Sequence, residues 1–190
     1  MKLTKDKIFT ISNFISFFRL LMAVPFWILM DNLNSGNTRI IVFALCLFAA
    51  FTDILDGWLA RKFNQVSELG KIIDPLADKV AMGAVVIQLF LAGELSTFFF
   101  TVMISRDVLI FLGGIIVTKI IGKVLPSNIL GKITVLVIGL FVLLTLLNIH
   151  KSGFIYLSVY WLSIILIFVS FFAYAWRAFE FISRKRNGAV

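Results

Sequence analysis

Six apolar stretches dominate this sequence, near residues 8–30, 40–61, 70–92, 95–121, 129–149 and 154–182. Each approaches or exceeds the ~20 residues that carry a helix across a bilayer. The chain is 61% hydrophobic and 15% charged, with a mean hydropathy of +1.03. A soluble domain is only about half apolar, so the balance points to an integral membrane protein. The predicted fold is all-α: six transmembrane helices in one domain over residues 1–190, with no soluble module and no long linker. Residues 1–10 alternate Lys2, Lys5 and Lys7 with Leu3, Ile8 and Phe9, a pattern that suits a short amphipathic helix at the membrane interface. Residues 183–190 form a basic tail. The first stretch does not read as a cleavable signal peptide. Ser12, Asn13, Ser16 and Arg19 interrupt it, it is too long, and no small-x-small cleavage site follows.

Basic residues orient the six spans. One side would hold Lys2, Lys5, Lys7, Arg61, Lys62, Lys71, Lys119, Lys123, Lys132, Arg184, Lys185 and Arg186, against Arg39 and Lys151 on the other. By the positive-inside rule both termini are cytoplasmic in the cell membrane. The net charge of +8 then reflects topology and anionic headgroups, and no nucleic-acid partner is needed to explain it. Cys46 stands alone in the chain, so an intrachain disulfide is excluded and a packing role expected.

Within the apolar background lie four aspartates: Asp53-Ile-Leu-Asp56-Gly57-Trp-Leu-Ala60-Arg61, then Gly70-Lys-Ile-Ile-Asp74-Pro-Leu-Ala-Asp78. Read as two helices, the i,i+3 spacing of Asp53 and Asp56 and the i,i+4 spacing of Asp74 and Asp78 put each pair on one face. The eight residues between Arg61 and Gly70 suffice to turn the chain and bring the halves together. Four carboxylates gathered at low dielectric repel, so either some are protonated or divalent metal is bound. Oxygen-only ligands favour Mg²⁺, Mn²⁺ or Ca²⁺ over zinc. Pro75 has two readings: first turn of a helix capped by Asp74, or a kink in a helix begun near Gly70.

Ionisable residues inside a membrane are costly and are functional candidates by default. Beyond the aspartates these are Arg19, Lys79, Arg106, Asp107 and Arg177, with Lys132 at a helix start. A structural role is the stronger reading for Lys79 and Asp107, and headgroup snorkelling for Lys119 and Arg184 to Arg186. Gly57 and Gly70 fall inside the acidic motif, where a missing side chain would let a phosphorylated ligand approach the backbone. Gly83, Gly113, Gly114, Gly131 and Gly139 read as packing residues, and His150 as a loop residue on the outer side.

The run Asp53-x₂-Asp56-Gly57-x₂-Ala60-Arg61-x₈-Gly70-x₃-Asp74-x₃-Asp78 resembles the complete signature of the CDP-alcohol phosphotransferases. The six-helix topology of that family would cover essentially the whole chain. The resemblance implies transfer of a phosphoalcohol from a CDP-linked donor to an acceptor hydroxyl, with release of CMP. It implies two Mg²⁺ or Mn²⁺ ions held by Asp53, Asp56, Asp74 and Asp78, with Asp78 also the base toward the acceptor. Asp56, Gly57, Ala60, Arg61, Ser67 and Gly70 would line the CDP pocket. Ser12-Asn13-Phe-Ile-Ser16 resembles the family's Pro-Asn-x-x-Thr segment, which places Asn13 near the nucleotide, although Ser12 stands where the family has proline. A homodimer in the cytoplasmic membrane is implied as well.

The motif says little about the acceptor. Arg106, Lys132 and Arg177 read as unmatched cations on the cytoplasmic half of three helices, suited to an acceptor that carries its own phosphate. Glycerol 3-phosphate comes first, with CDP-diacylglycerol as donor and phosphatidylglycerophosphate as product. Inositol phosphate is an alternative. Phosphatidylglycerol is another, because Ile104-Ser-Arg106-Asp107-Val and Gly131-Lys132-Ile-Thr134 resemble the cardiolipin-forming members. A different class is a cation-binding or transport protein. Against it, the acids gather at one face, and Val85–Leu91 and Phe98–Ile104 offer no polar trail toward the other.

Overall fold

The computed structural model describes residues 17, 18, 20–31, 36–62, 70–121 and 128–186; of 53, 56–62, 70–78, 121, 184 and 186 it describes the backbone alone. Among the described residues there are six helices and no strand: α1 (Ala23–Met30), α2 (Gly36–Lys62), α3 (Gly70–Leu91), α4 (Thr97–Ile121), α5 (Ile129–Leu146) and α6 (Phe154–Arg186). The interfacial helix expected over 1–10 and the start of the first expected span lie outside them. Among the described residues, three helical segments are long and apolar enough to cross a membrane: Thr97–Ile120, Ile129–Leu146 and Phe154–Ser183. The helices α2 and α3 are of comparable length, and among their described side chains Gly36–Thr52 and Lys79–Leu91 are apolar. Arg184, Lys185 and Arg186, expected in a tail, continue α6 to its last turn.

The chain divides into two compact units, Met1–Glu94 and Leu95–Val190. In the first, α1 packs on α3 and on α2. Its core is built from Phe26 and Met30 of α1, Val42 of α2, and Ala81, Val85, Val86 and Leu89 of α3. Pro25 has no N–H to give the Leu21 carbonyl, so one bond of the ladder is missing there, while Met22 keeps helical dihedrals and bonds on both sides. The far end of α1 is completed from outside: Gln88 of α3, 5% exposed, donates to the Trp27 carbonyl at 3.4 Å and to Asp31 Oδ1 at 3.3 Å. A terminal carbonyl that would be orphaned in an apolar setting is thereby satisfied. Helix α3 ends at Gly93 with φ +71°, where the Gly93 and Glu94 N–H groups return to the Phe90 and Leu89 carbonyls. This is a Schellman cap. Beside it Arg39 of α2 forms an ion pair with Glu94.

In the second unit α6 packs on both α4 and α5. Near the start of α4 and α6 an aromatic cluster fills the core. Phe99 and Phe141 have ring centroids 4.5 Å apart, Phe141 and Tyr156 5.1 Å, and Phe141 and Tyr160 5.6 Å. Buried hydroxyls find backbone partners, as apolar surroundings require. Thr145 donates to the Phe141 carbonyl at 2.9 Å, and Thr134 to the Leu130 carbonyl at 2.7 Å and, across to α6, the Leu166 carbonyl at 3.2 Å. Asn128 caps α5 by accepting from the Leu130 N–H at 3.2 Å. At the other end Asn148, φ 52°, closes α5 with the same bond pattern as Gly93. The outward faces of α4, α5 and α6 carry exposed Phe98, Phe111, Leu136, Ile155, Phe172 and Trp176, the apolar surface that a lipid environment calls for.

Candidate active site

Helix geometry fixes how the acidic motif is presented. Asp53, Asp56, Gly57, Ala60 and Arg61 occupy the last turns of α2, and Gly70, Asp74 and Asp78 the first turns of α3. At 100° per residue, Asp53, Gly57 and Ala60 fall within one narrow strip of α2, with Asp56 and Arg61 flanking it, and Gly70, Asp74 and Asp78 form one i,i+4 row on α3. The expected pairing of carboxylates on a face of each helix is therefore met by the backbone. Helix α3 starts at Gly70, so Pro75 lies within it, which favours the second of the two readings of this proline. All eight motif positions belong to the first compact unit. Ser67 and Asn13 lie outside the described residues.

The three candidate acceptor cations all belong to the second unit. Arg106 of α4 is not unmatched, as the sequence alone suggested. Its side chain is 10% exposed; Nη1 donates to Asp107 Oδ1 at 2.7 Å and Nη2 to Ser170 Oγ of α6 at 3.2 Å. Its Nε is buried and makes no hydrogen bond. A Cβ on Gly131 of α5 would lie 3.6 Å from Nη2, so the guanidinium runs past the backbone of α5 where that helix begins. Lys132 follows Gly131 and its side chain is exposed. Arg177 lies seven residues after Ser170 on α6, hence on the same helical face, about 10 Å further along. Between them Tyr174 packs on α4, its hydroxyl 3.1 Å from where a Cβ of Gly114 would be. The helices α4 and α6 continue past this level to Ile121 and Arg186. Sequence reasoning missed Ser170, which stands in the apolar run of α6 beside Ser158 and Ser163 with no local sign to set it apart.

Helical throughout its described residues, with segments long and apolar enough to cross a membrane, the molecule falls in the class of all-α membrane proteins. Within that class, the sequence matches the family model of the CDP-alcohol phosphatidyltransferases over residues 9–176, a stretch that runs through both compact units. The chain belongs to this family. That membership sets aside the reading of the acidic cluster as an ion pathway. The CDP-diacylglycerol–glycerol-3-phosphate 3-phosphatidyltransferase of Aquifex aeolicus is 34% identical over 184 residues, 92% of this chain and 99% of that one. The protein of the same name from Rickettsia felis is 30% identical over 148 residues, 77% of this chain and 80% of that one. A fusion of CMP-forming cardiolipin synthase with a mitochondrial hydrolase from Schizosaccharomyces pombe is 36% identical over 108 residues, 56% of this chain and 17% of that one.

Proposed function

We propose that this protein transfers the phosphatidyl group of CDP-diacylglycerol to glycerol 3-phosphate, giving phosphatidylglycerophosphate and CMP. The observation that carries the reading is the acidic motif on α2 and α3 in a chain whose full-length relative from Aquifex aeolicus bears that activity in its name. In this account the acceptor hydroxyl oxygen bonds to the phosphatidyl phosphorus, the bond from that phosphorus to the CMP oxygen breaks, and CMP departs. The hydroxyl proton passes to Asp78. A carboxylate within reach is useful there because an alcohol is very weakly acidic. Gly57 and Ala60 leave space for CDP against α2, Arg61 offsets phosphate charge, and Asn13, Asp56, Ser67 and Gly70 complete the donor pocket.

The donor set fits divalent cations. Four carboxylates on two helix ends, with nitrogen and sulfur ligands absent from the motif, match the oxygen preference of Mg²⁺ or Mn²⁺. Asp53, Asp56, Asp74 and Asp78 would hold two ions, which when bound would neutralise the pyrophosphate and favour an in-line displacement. Arg106, Lys132 and Arg177 receive the acceptor's phosphate. Six spans in a single domain would place both termini and the motif on the cytoplasmic side of the cell membrane, with the protein working as a homodimer among membrane lipids.

A second reading takes phosphatidylglycerol as acceptor, favoured by the 36% identity to the cardiolipin synthase fusion. One experiment separates the two. Purified protein is given labelled CDP-diacylglycerol with glycerol 3-phosphate, inositol phosphate or phosphatidylglycerol, and the labelled lipid is identified. Phosphatidylglycerophosphate is the expected product; cardiolipin would select the second reading.

A further inference from the structure

Arg106 is nine-tenths buried, and its position is set by residues distant in sequence. Ser170 is 2% exposed and its hydroxyl donates to the Ile167 carbonyl at 3.1 Å, which leaves its oxygen lone pairs for the Arg106 Nη2 donor at 3.2 Å. Asp107, the next residue in the chain, takes Nη1. Gly131 provides the third wall by presenting no side chain 3.6 Å from Nη2. What remains unsatisfied is the Nε–H, in a setting where a buried donor without a partner costs free energy.

We propose that Ser170 is a positioning residue: its hydroxyl, beside the bare backbone of Gly131, fixes the Arg106 guanidinium in the orientation from which its remaining N–H groups receive the phosphate of the acceptor. The inference rests on the reading of Arg106 as an acceptor contact. It adds that the strength of this contact is governed from α6, by a side chain that touches no substrate. Without the Ser170 oxygen, Nη2 loses its anchor and the guanidinium turns within the space beside Gly131. Charge is retained and orientation lost, so acceptor affinity falls while donor affinity does not.

The test is a double-mutant cycle in purified full-length protein, reading acceptor KM and donor KM for wild type, Ser170→Ala, Arg106→Ala and the double variant. Ser170→Ala should raise the glycerol 3-phosphate KM about 5- to 10-fold, the scale of one ordinary hydrogen bond, and leave donor KM within twofold. Ser170→Thr, which keeps the hydroxyl, should restore the acceptor KM. In the Arg106→Ala background, Ser170→Ala should have no further effect. Gly131→Val should reproduce the Ser170→Ala pattern, because its side chain enters the space the guanidinium occupies. If Arg106→Ala raises acceptor KM but Ser170→Ala does not, or acts additively with it, or raises donor KM equally, the positioning role is overturned. If Arg106→Ala itself leaves acceptor KM unchanged, the acceptor reading of Arg106 fails and the positioning role with it.

Discussion

Charge removal at each aspartate separates ligand from base. Asp53→Asn and Asp74→Asn should abolish CMP release, and EDTA should do the same to the wild type, with Mg²⁺ or Mn²⁺ restoring it. Activity that persists in chelator, or in either variant, would contradict the two-metal account. Asp78→Asn should lower turnover about 10²- to 10⁴-fold, the range for loss of a general base, while donor binding falls less than in Asp56→Asn. Equal loss of donor binding would make Asp78 a ligand alone. The cations differ among themselves. A guanidinium matches phosphate geometry better than an ammonium, and exposed Lys132 is free of the packing that fixes Arg106. Arg106→Ala should therefore raise acceptor KM more than Lys132→Ala, by about 10-fold or more against a few-fold.

Gln88 and the two left-handed caps decide how the elements hold together. Replacing Gln88 with Leu strips the Trp27 carbonyl and Asp31 of a shared partner, and should cost about 1 kcal/mol. A lowered melting temperature in detergent would record it, and an unchanged one would show that α1 needs no cap from α3. Gly93→Ala forces a Cβ into φ +71° and should cost about 1 kcal/mol at the same readout. At this scale much of the protein was legible. The expected spans 70–92 and 95–121 meet helices Gly70–Leu91 and Thr97–Ile121, because apolar run length and the Asn, Gly and Ser of the connections are written locally. The helical placement of the aspartates was legible for the same reason: i,i+3 and i,i+4 spacing is a property of one helix. The partners of Arg106 were not. Ser170 is 64 residues away, and nothing in a serine within an apolar run says which neighbouring helix it will face. Gln88 was missed likewise, its carbonyl partner lying 61 residues upstream.

For the whole molecule, topology and chemistry must agree. In a background with Cys46 replaced, single cysteines introduced at position 65 or 188 should label only from the cytoplasmic side, and at 34 or 151 only from outside. Reversed labelling would put the acidic motif in the wrong compartment for a CDP-linked donor and undo the six-span proposal. The measurement closest to the central claim is CMP release by the purified protein. With CDP-diacylglycerol and divalent metal, glycerol 3-phosphate should trigger stoichiometric release of CMP and appearance of phosphatidylglycerophosphate, and omission of glycerol 3-phosphate should stop both. Protein that leaves glycerol 3-phosphate untouched, while releasing CMP only when phosphatidylglycerol is supplied, would contradict the account.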